Sequence, residues 1–136
     1  MSDNRISLDI VTPEKNVFSA DVYYFHIPTI EGGIGVYPRH AAIVTALDVG
    51  ELTIDDGNGN KDSLFINGGF LEVSENKAVV LAKSAENNEE IDIERAKRAK
   101  ARAEERLAFS AEGIDTARAE AALKRAVQRL KIAEKQ

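Results

Sequence analysis

One break in composition divides this chain into two physical objects. Every proline, every glycine except Gly113, and seven of the eight aromatic residues (Phe18, Tyr23, Tyr24, Phe25, Tyr37, Phe65 and Phe70) lie before Ala85. Beyond it, residues 92–108 and 115–133 contain neither proline nor glycine and are filled by Ala, Lys, Arg and Glu, all strong helix formers. The side chains that bury the most apolar area therefore belong to the first part, and so must the main core. Charge divides at the same place: residues 1–85 hold 6 Lys/Arg against 12 Asp/Glu, whereas residues 86–136 hold 12 against 11. The expected organisation is a β domain over residues 1–84, a linker over 85–91 and a helical unit over 92–136. The polar, unpatterned run Ser84 to Glu90 marks the joint.

The first segment reads as short strands separated by turn residues. Residues 6–11 (ISLDIV) and 22–28 (VYYFHIP) carry alternating or continuous apolar positions, and residues 42–47 (AIVTAL) form another run too short for a typical helix. Glu51 to Asp55 and Lys61 to Ile66 flank Asp56-Gly57-Asn58-Gly59-Asn60, a hairpin turn made of residues that tolerate positive φ. Gly68-Gly69 and Glu75-Asn76 punctuate two more strands, Phe70 to Val73 and Ala78 to Ala82. Strands recurring so closely predict an antiparallel β-sandwich or flattened barrel.

The second segment predicts an antiparallel two-helix hairpin that reverses within Phe109 to Ile114, around its only glycine. Ala119, Ala122, Leu123, Ala126, Leu130 and Ala133 form one apolar stripe on the second helix. Alanine offers little area at about 25 cal/mol per Å², and isolated helices of this length are marginal in water. Two readings stay open, a weakly docked hairpin that moves and a permanently packed one.

Several function classes fall away. No run of 18 apolar residues exists and the start MSDNRISLD lacks the regions of a signal peptide, so neither direct membrane insertion nor secretion is expected. Without cysteine there is no disulfide framework, thiolate nucleophile or zinc-finger spacing. A net charge of −5 argues against general nucleic-acid binding. The two histidines, His26 and His40, stand in no metal-binding or triad spacing and read as structural or interface residues. Gly32-Gly33-Ile34-Gly35 lacks the Lys-Ser/Thr of a phosphate loop and reads as an ordinary loop. No catalytic site and no metal site is expected.

The helices carry the more informative pattern. Ile91-Asp92-Ile93-Glu94-Arg95-Ala96 and Ile114-Asp115-Thr116-Ala117-Arg118-Ala119 share Ile-Asp-x-x-Arg-Ala, each at the head of a helix. Asp is a favoured N-cap and the preceding Ile can staple the entry, which accounts for the second copy by itself. Around the first copy, Arg95, Arg98, Arg102 and Arg106 recur at three- and four-residue spacings, and Arg118, Arg125 and Arg129, seven and four apart, form a like stripe on the second helix. Such stripes are either solvated faces or, where the hairpin makes them converge, a site for a polyanion such as a triphosphate.

Three stretches are familiar together. Gly33-Ile34-Gly35-Val36-Tyr37-Pro38-Arg39-His40-Ala41-Ala42-Ile43-Val44-Thr45-Ala46-Leu47, then Gly50-Glu51-Leu52, then Phe65-Ile66-Asn67-Gly68-Gly69-Phe70 resemble the epsilon subunits of F-type ATP synthases. Leu8-Asp9-Ile10-Val11-Thr12-Pro13-Glu14 followed by Val17-Phe18 resembles that family's first hairpin, so the likeness covers essentially the whole chain. Arg39 stands where the family often has glycine, and Ala42 where it often has proline.

The resemblance implies a non-catalytic subunit of the central stalk, peripheral to the cytoplasmic face of the cell membrane as part of the ATP synthase, which couples proton flow to ATP synthesis. Its implied partners are the gamma subunit, the ring of c subunits and, when the hairpin extends, the alpha/beta catalytic head, where the extended form inhibits ATP hydrolysis. By position, Glu31, Gly32 and Gly33 are candidates for ring contact, and Tyr37, Arg39 and His40 for gamma contact. Some bacterial members bind one ATP between sandwich and hairpin. The matching positions here are Glu86, Ile91, Asp92, Arg95, Ala96, Arg102, Arg125 and Arg129. In that reading Asp92 meets the adenine edge, Ile91 and Ala96 leave a slot for the base, Glu86 takes a ribose hydroxyl and the arginines take phosphates, with Mg2+ accompanying ATP or not. The alternatives are a stalk subunit whose motif only caps a helix, and an independent adaptor whose basic helices bind acidic partners.

Overall fold

The computed structural model describes residues 4–108 and 116–134. Among these residues, eight strands are followed by two helices: β1 Ile6–Val11, β2 Asn16–Val22, β3 Tyr24–Thr29, β4 Gly32–Val36, β5 Ile43–Asp55, β6 Lys61–Ser74, β7 Lys77–Ala82, β8 Ala85–Asn87, α1 Ile93–Ala108 and α2 Thr116–Ala133. They hydrogen-bond in the order β2-β1-β7-β6-β5-β3-β4, with β8 added to β6. Every pairing is antiparallel except β1 with β7, which run parallel. Alternation builds the core: Ile6, Leu8 and Ile10 of β1, Phe25 and Ile27 of β3, and Ala78, Val80 and Ala82 of β7 all point inward and are buried.

The long strands β5 and β6 join the two halves of the sandwich. The second half of β6 pairs with β7 through Gly69 to Ser74, and its first half pairs with β8 through Leu64 to Ile66. The change falls at Gly68-Gly69, both at positive φ, where a Cβ on Gly69 would collide with the carbonyl oxygen of Leu81. At the far end of the hairpin, Asp56 Oδ1 accepts from the N–H of Asn58 at 2.7 Å and of Asn60 at 3.1 Å, closing the expected turn.

Two sequence expectations need correction. Residues 32–36 are the edge strand β4, not a loop. Their glycines make room for rings of β3, since a Cβ on Gly33 would lie 2.5 Å from His26 Cε1 and one on Gly35 2.5 Å from the Tyr24 hydroxyl oxygen. The expected linker also begins as structure, because residues 85–87 form β8 and Ala85 joins the main core. Its polar composition hid this: a three-residue strand that adds to an existing edge needs backbone pairing more than apolar side chains. The reversal within Phe109 to Ile114 and the head of the second motif copy lie outside the described residues. The helices are nevertheless antiparallel, because Arg129 near the end of α2 meets Glu86 just before α1.

Candidate functional site

The hairpin docks through α2. Phe65, Ile91, Ile132 and Ala133 form a small buried cluster with Val49 packed beside it, separate from the main core. Ile132 and Arg129 stand one turn apart, so the turn that buries Ile132 also delivers Arg129 to the sheet. The Arg129 guanidinium carbon lies 4.4 Å from the Phe65 ring centroid, and its Nε donates to Glu86 Oε1 at 2.6 Å. A second tie joins Lys124 Nζ to Asp48 Oδ2 at 2.6 Å. The Lys124 hydrogen bond, opposed by burial and aided by the Val49 N–H, holds the Asp48 carboxyl below the usual carboxylate range.

Beside this contact is a cleft of about 590 Å³. Glu86, Glu90 and Asp92 line it before the first helix, Arg95, Arg98 and Arg102 line it from α1, and Arg125 and Arg129 line it from α2. Ala96, Ala99, Ala122 and Ala126 complete the lining, and their small side chains leave the space between the two rows of arginine. Seven of the eight residues expected at the site therefore meet here: Glu86, Asp92, Arg95, Ala96, Arg102, Arg125 and Arg129. Ile91 does not, because it is buried in the docking cluster.

The carboxylates of the cleft are already engaged. Glu86 holds Arg129, Glu90 Oε2 lies 3.6 Å from Lys15 Nζ, and Asp92 Oδ1 accepts from the Arg95 N–H at 3.0 Å as the N-cap of α1. Arg95, Arg98, Arg102 and Arg125, in contrast, make no ion pair with another described residue. Four uncompensated guanidiniums around one cleft repel each other, and their planar forks match phosphate oxygens. A larger hollow of about 680 Å³ lies between the start of β6 and the residues after β8. It mixes Lys15 and Lys61 with Asp62, Glu89 and Glu90 and so lacks this one-sided charge.

The structure keeps the two sets of expected partner residues apart. Glu31, Gly32 and Gly33 are exposed at the β3–β4 turn, whereas Tyr37, Arg39 and His40 follow the other end of β4, about 13 Å away for the four extended steps from Gly33 to Tyr37. Tyr37 packs on Tyr24 with ring centroids 4.4 Å apart and remains 52% exposed. Arg39 adopts φ +66°, the left-handed conformation that suits glycine, and its N–H is held by Asn76 Oδ1 at 2.7 Å. His40 Nδ1 lies 2.7 Å from the Ala41 carbonyl oxygen.

Sequence reasoning missed several residues of these surfaces. Arg98 was visible in the arginine stripe, but the position of Glu90 in the cleft and the anchoring by Phe65 and Ile132 had no sequence signal. Also unforeseen is a row of exposed apolar side chains on the sheet: Phe70 (57% exposed) faces Leu81 (54%), with Val44 (72%) on the neighbouring strand.

Known proteins give this arrangement its place. Residues 5–88 match the family model of the ATP synthase delta/epsilon chain β-sandwich domain, and residues 89–134 match that of the family's long α-helix domain. The ATP synthase epsilon chain of Pelotomaculum thermopropionicum is 50% identical over 108 residues, covering 79% of this chain and 80% of its own length. That of Dehalococcoides mccartyi is 49% identical over 133 residues, covering 97% of this chain and 94% of its own. A chain in the cryo-EM structure of Euglena gracilis mitochondrial ATP synthase, containing OSCP, F1 and the c-ring, superposes with a TM-score of 0.83 at 27% identity over 92% of this chain and 79% of that one. The chain belongs to the ATP synthase delta/epsilon family. Within it, it is an epsilon chain of the bacterial F-type enzyme, a central-stalk subunit and not the catalytic one.

Proposed function

We propose that the sandwich fixes this subunit to the rotor and that the hairpin is a nucleotide-sensitive brake, compact with ATP bound and inhibiting ATP hydrolysis when extended toward the alpha/beta head. The observation that carries this reading is the cleft itself. Glu86 of β8 and the arginines of α1 and α2 surround one space only while the hairpin lies folded on the sandwich. A ligand shifts a conformational equilibrium only through differential affinity, and a polyanion held by both helices and β8 has that difference. Mutual repulsion of Arg95, Arg98, Arg102 and Arg125 weakens the empty compact form, and phosphate relieves it. A tenfold shift needs only about 1.4 kcal/mol of preference.

The residues suit such a ligand in defined ways. Arg95, Arg102, Arg125 and Arg129 take phosphates, with Arg129 exchanging Glu86 for an anion or holding both. Ala96 leaves room for the base, whereas Ile91 serves by anchoring the hairpin. Asp92 orders the first turn of α1, and its carboxylate also suits the adenine edge. Mg2+ would enter on the triphosphate, with its remaining ligands supplied by water, as is usual for that ion.

In the rotor, Tyr37, Arg39 and His40 together with Val44, Phe70 and Leu81 form the surface for gamma, since a contiguous exposed apolar row is a docking feature. The tip at Glu31, Gly32 and Gly33 faces the c-ring. No described helix is long and apolar enough to cross a membrane, and the subunit is held peripherally at the cytoplasmic face through these partners.

The sequence has no cysteine, so spin labels attached to this subunit through Asp21→Cys on β2 and Ala108→Cys at the end of α1, before assembly, occupy those two sites alone and report the hairpin position. In the assembled enzyme, ATP should narrow the distance distribution to that of the docked hairpin and raise hydrolysis. Bound ATP with an unchanged distance distribution, and hydrolysis equally slow after removal of residues 89–136, would refute the brake.

A further inference from the structure

The cleft contains a residue that the family-based assignment leaves out. Arg98 lies three residues after Arg95 and four before Arg102, on the same face of α1, and it lines the cleft with them. It makes no ion pair with any other described residue.

Its place follows from the packing of the helices. Ala96 and Ala103 are the buried residues of α1, and Ala119, Ala126 and Ala133 recur at the same seven-residue interval on α2. In an antiparallel pair this spacing fits Ala96 opposite Ala126 and Ala103 opposite Ala119. Arg98 then comes within one residue of level with Arg125, and Arg95 within two residues of level with Arg129, offsets of about 1.5 and 3 Å that an arginine side chain spans. The rung of Arg95 and Arg129 is partly neutralised, because Glu86 binds Arg129. The second has no carboxylate partner among the described residues. It lies about 4.5 Å farther along α1 from the Glu86 end, the rise of three helical residues.

We infer that Arg98 and Arg125 together form the subsite for the terminal phosphate of a triphosphate, and that Arg98 is a specificity-determining residue for triphosphate over diphosphate. The inference rests on the reading of the cleft as a nucleotide site. With the nucleoside end at Glu86 and Asp92, a diphosphate reaches the first rung, and one further phosphate extends to the second. The terminal phosphate carries the most negative charge of the chain, and the second rung carries the least compensated positive charge.

The test is calorimetric titration of the full-length chain with ATP and ADP, and with inorganic tripolyphosphate as a probe that lacks the nucleoside. Arg98→Ala should weaken ATP about tenfold, the low end for a charge-assisted hydrogen bond at an exposed side chain, while ADP changes by less than about twofold. Arg98→Lys should keep part of the ATP affinity, since it retains charge but loses the fork. Arg106→Ala, exposed on α1 and outside the cleft, removes the same charge and should leave the ATP-to-ADP ratio unchanged. Alanine is a good helix former, and circular dichroism checks that each variant keeps its helices.

Equal weakening of ATP and ADP by Arg98→Ala, or an equal effect of Arg106→Ala, overturns the terminal-phosphate assignment. Tight ATP binding that Arg98→Ala leaves untouched overturns it as well, while the nucleotide reading survives. If tripolyphosphate binds as tightly as ATP and both weaken in Arg98→Ala, the rung stands and the nucleotide reading falls. If neither anion binds the unaltered chain, both fall.

Discussion

Ile132→Ala should release the hairpin without unfolding the sandwich. Ile132 is fully buried in the cluster formed with Phe65, Ile91 and Ala133, which shares no residue with the main core. The substitution removes three carbons from that contact, a loss of about 2.5 kcal/mol at ~0.8 kcal/mol per buried methylene. Any cavity left behind would add to this, but a small cluster at a helix end can collapse, which keeps the cost near the lower end of the usual range for such truncations. The docked-to-undocked ratio should therefore fall roughly sixtyfold. Spin labels at positions 21 and 108, read across a urea series, show the shift even where the docked form dominates, because the undocking midpoint moves to lower denaturant. Leu8→Ala is the control, since it opens the main core instead. It should cost the cooperative melt of the sandwich about 2–5 kcal/mol and leave the hairpin docked while the sandwich persists. The reasoning fails if Ile132→Ala leaves the undocking midpoint in place, or lowers the sandwich melt as far as Leu8→Ala does.

Three further outcomes are expected. Asp48 has a depressed pKa in the folded state, so its contribution to docking is complete above the unfolded carboxylate pKa and disappears as pH falls through the folded value. With Lys124 and Asp48 side chains 46% and 40% exposed, the contribution is about 0.2–1 kcal/mol, and Asp48→Asn should reduce the acid dependence of the label distance below about pH 4. Gly69→Ala should cost more than Gly59→Ala in urea denaturation. Both residues have positive φ, but only at Gly69 would the added Cβ strike backbone, against about 1 kcal/mol for conformational strain alone. A fragment ending at Asn88 should melt cooperatively and at higher temperature than one ending at Ser84, because β8 and the core residue Ala85 lie between the two ends.

Much of the fold was legible because the sequence's periods agree with its burial. The alternation of Ile6, Leu8 and Ile10 yields β1 over the expected residues, and the Asp-Gly-Asn-Gly-Asn turn closes the β5–β6 hairpin where it was expected. Strand β4 was illegible for a physical reason: its glycines are selected by His26 and Tyr24 across the sheet, and a single-strand pattern contains no term for a neighbour's ring. The same limit applies to α2. Its alanine stripe marked the apolar face of the helix, and Ala119, Ala126 and Ala133 of that stripe are buried. The residue that fastens the pair to the sheet is Ile132, one position from that stripe, and only the location of Phe65 reveals its role. For the candidate site, spacing brought the arginines onto common faces, but the partnership of Glu86 with Arg129 depended on β8, which the composition presented as linker.

Docking and the cleft are one event mechanically, because Arg129 and Ile132 share a turn of α2. When Ile132 leaves Phe65, Arg129 leaves Glu86, and β8 no longer faces the arginines of the helices. Under the proposed function, a ligand that binds only the docked form stabilises it by about 2.7 kcal/mol at one hundred times its dissociation constant. That nearly equals the loss of about 2.5 kcal/mol assigned to Ile132→Ala. Saturating ATP should therefore restore the undocking midpoint of Ile132→Ala almost to that of the unaltered chain without ligand. It should do little for a variant that also carries Arg95→Ala and Arg125→Ala, whose anchor is equally weakened but whose cleft has lost two of its four uncompensated charges. Spin-label distances at matched urea concentrations measure both. If ATP rescues the two variants equally, the nucleotide acts outside the cleft. If it rescues neither while still binding, binding does not depend on the docked hairpin, and the cleft is not the device that couples them.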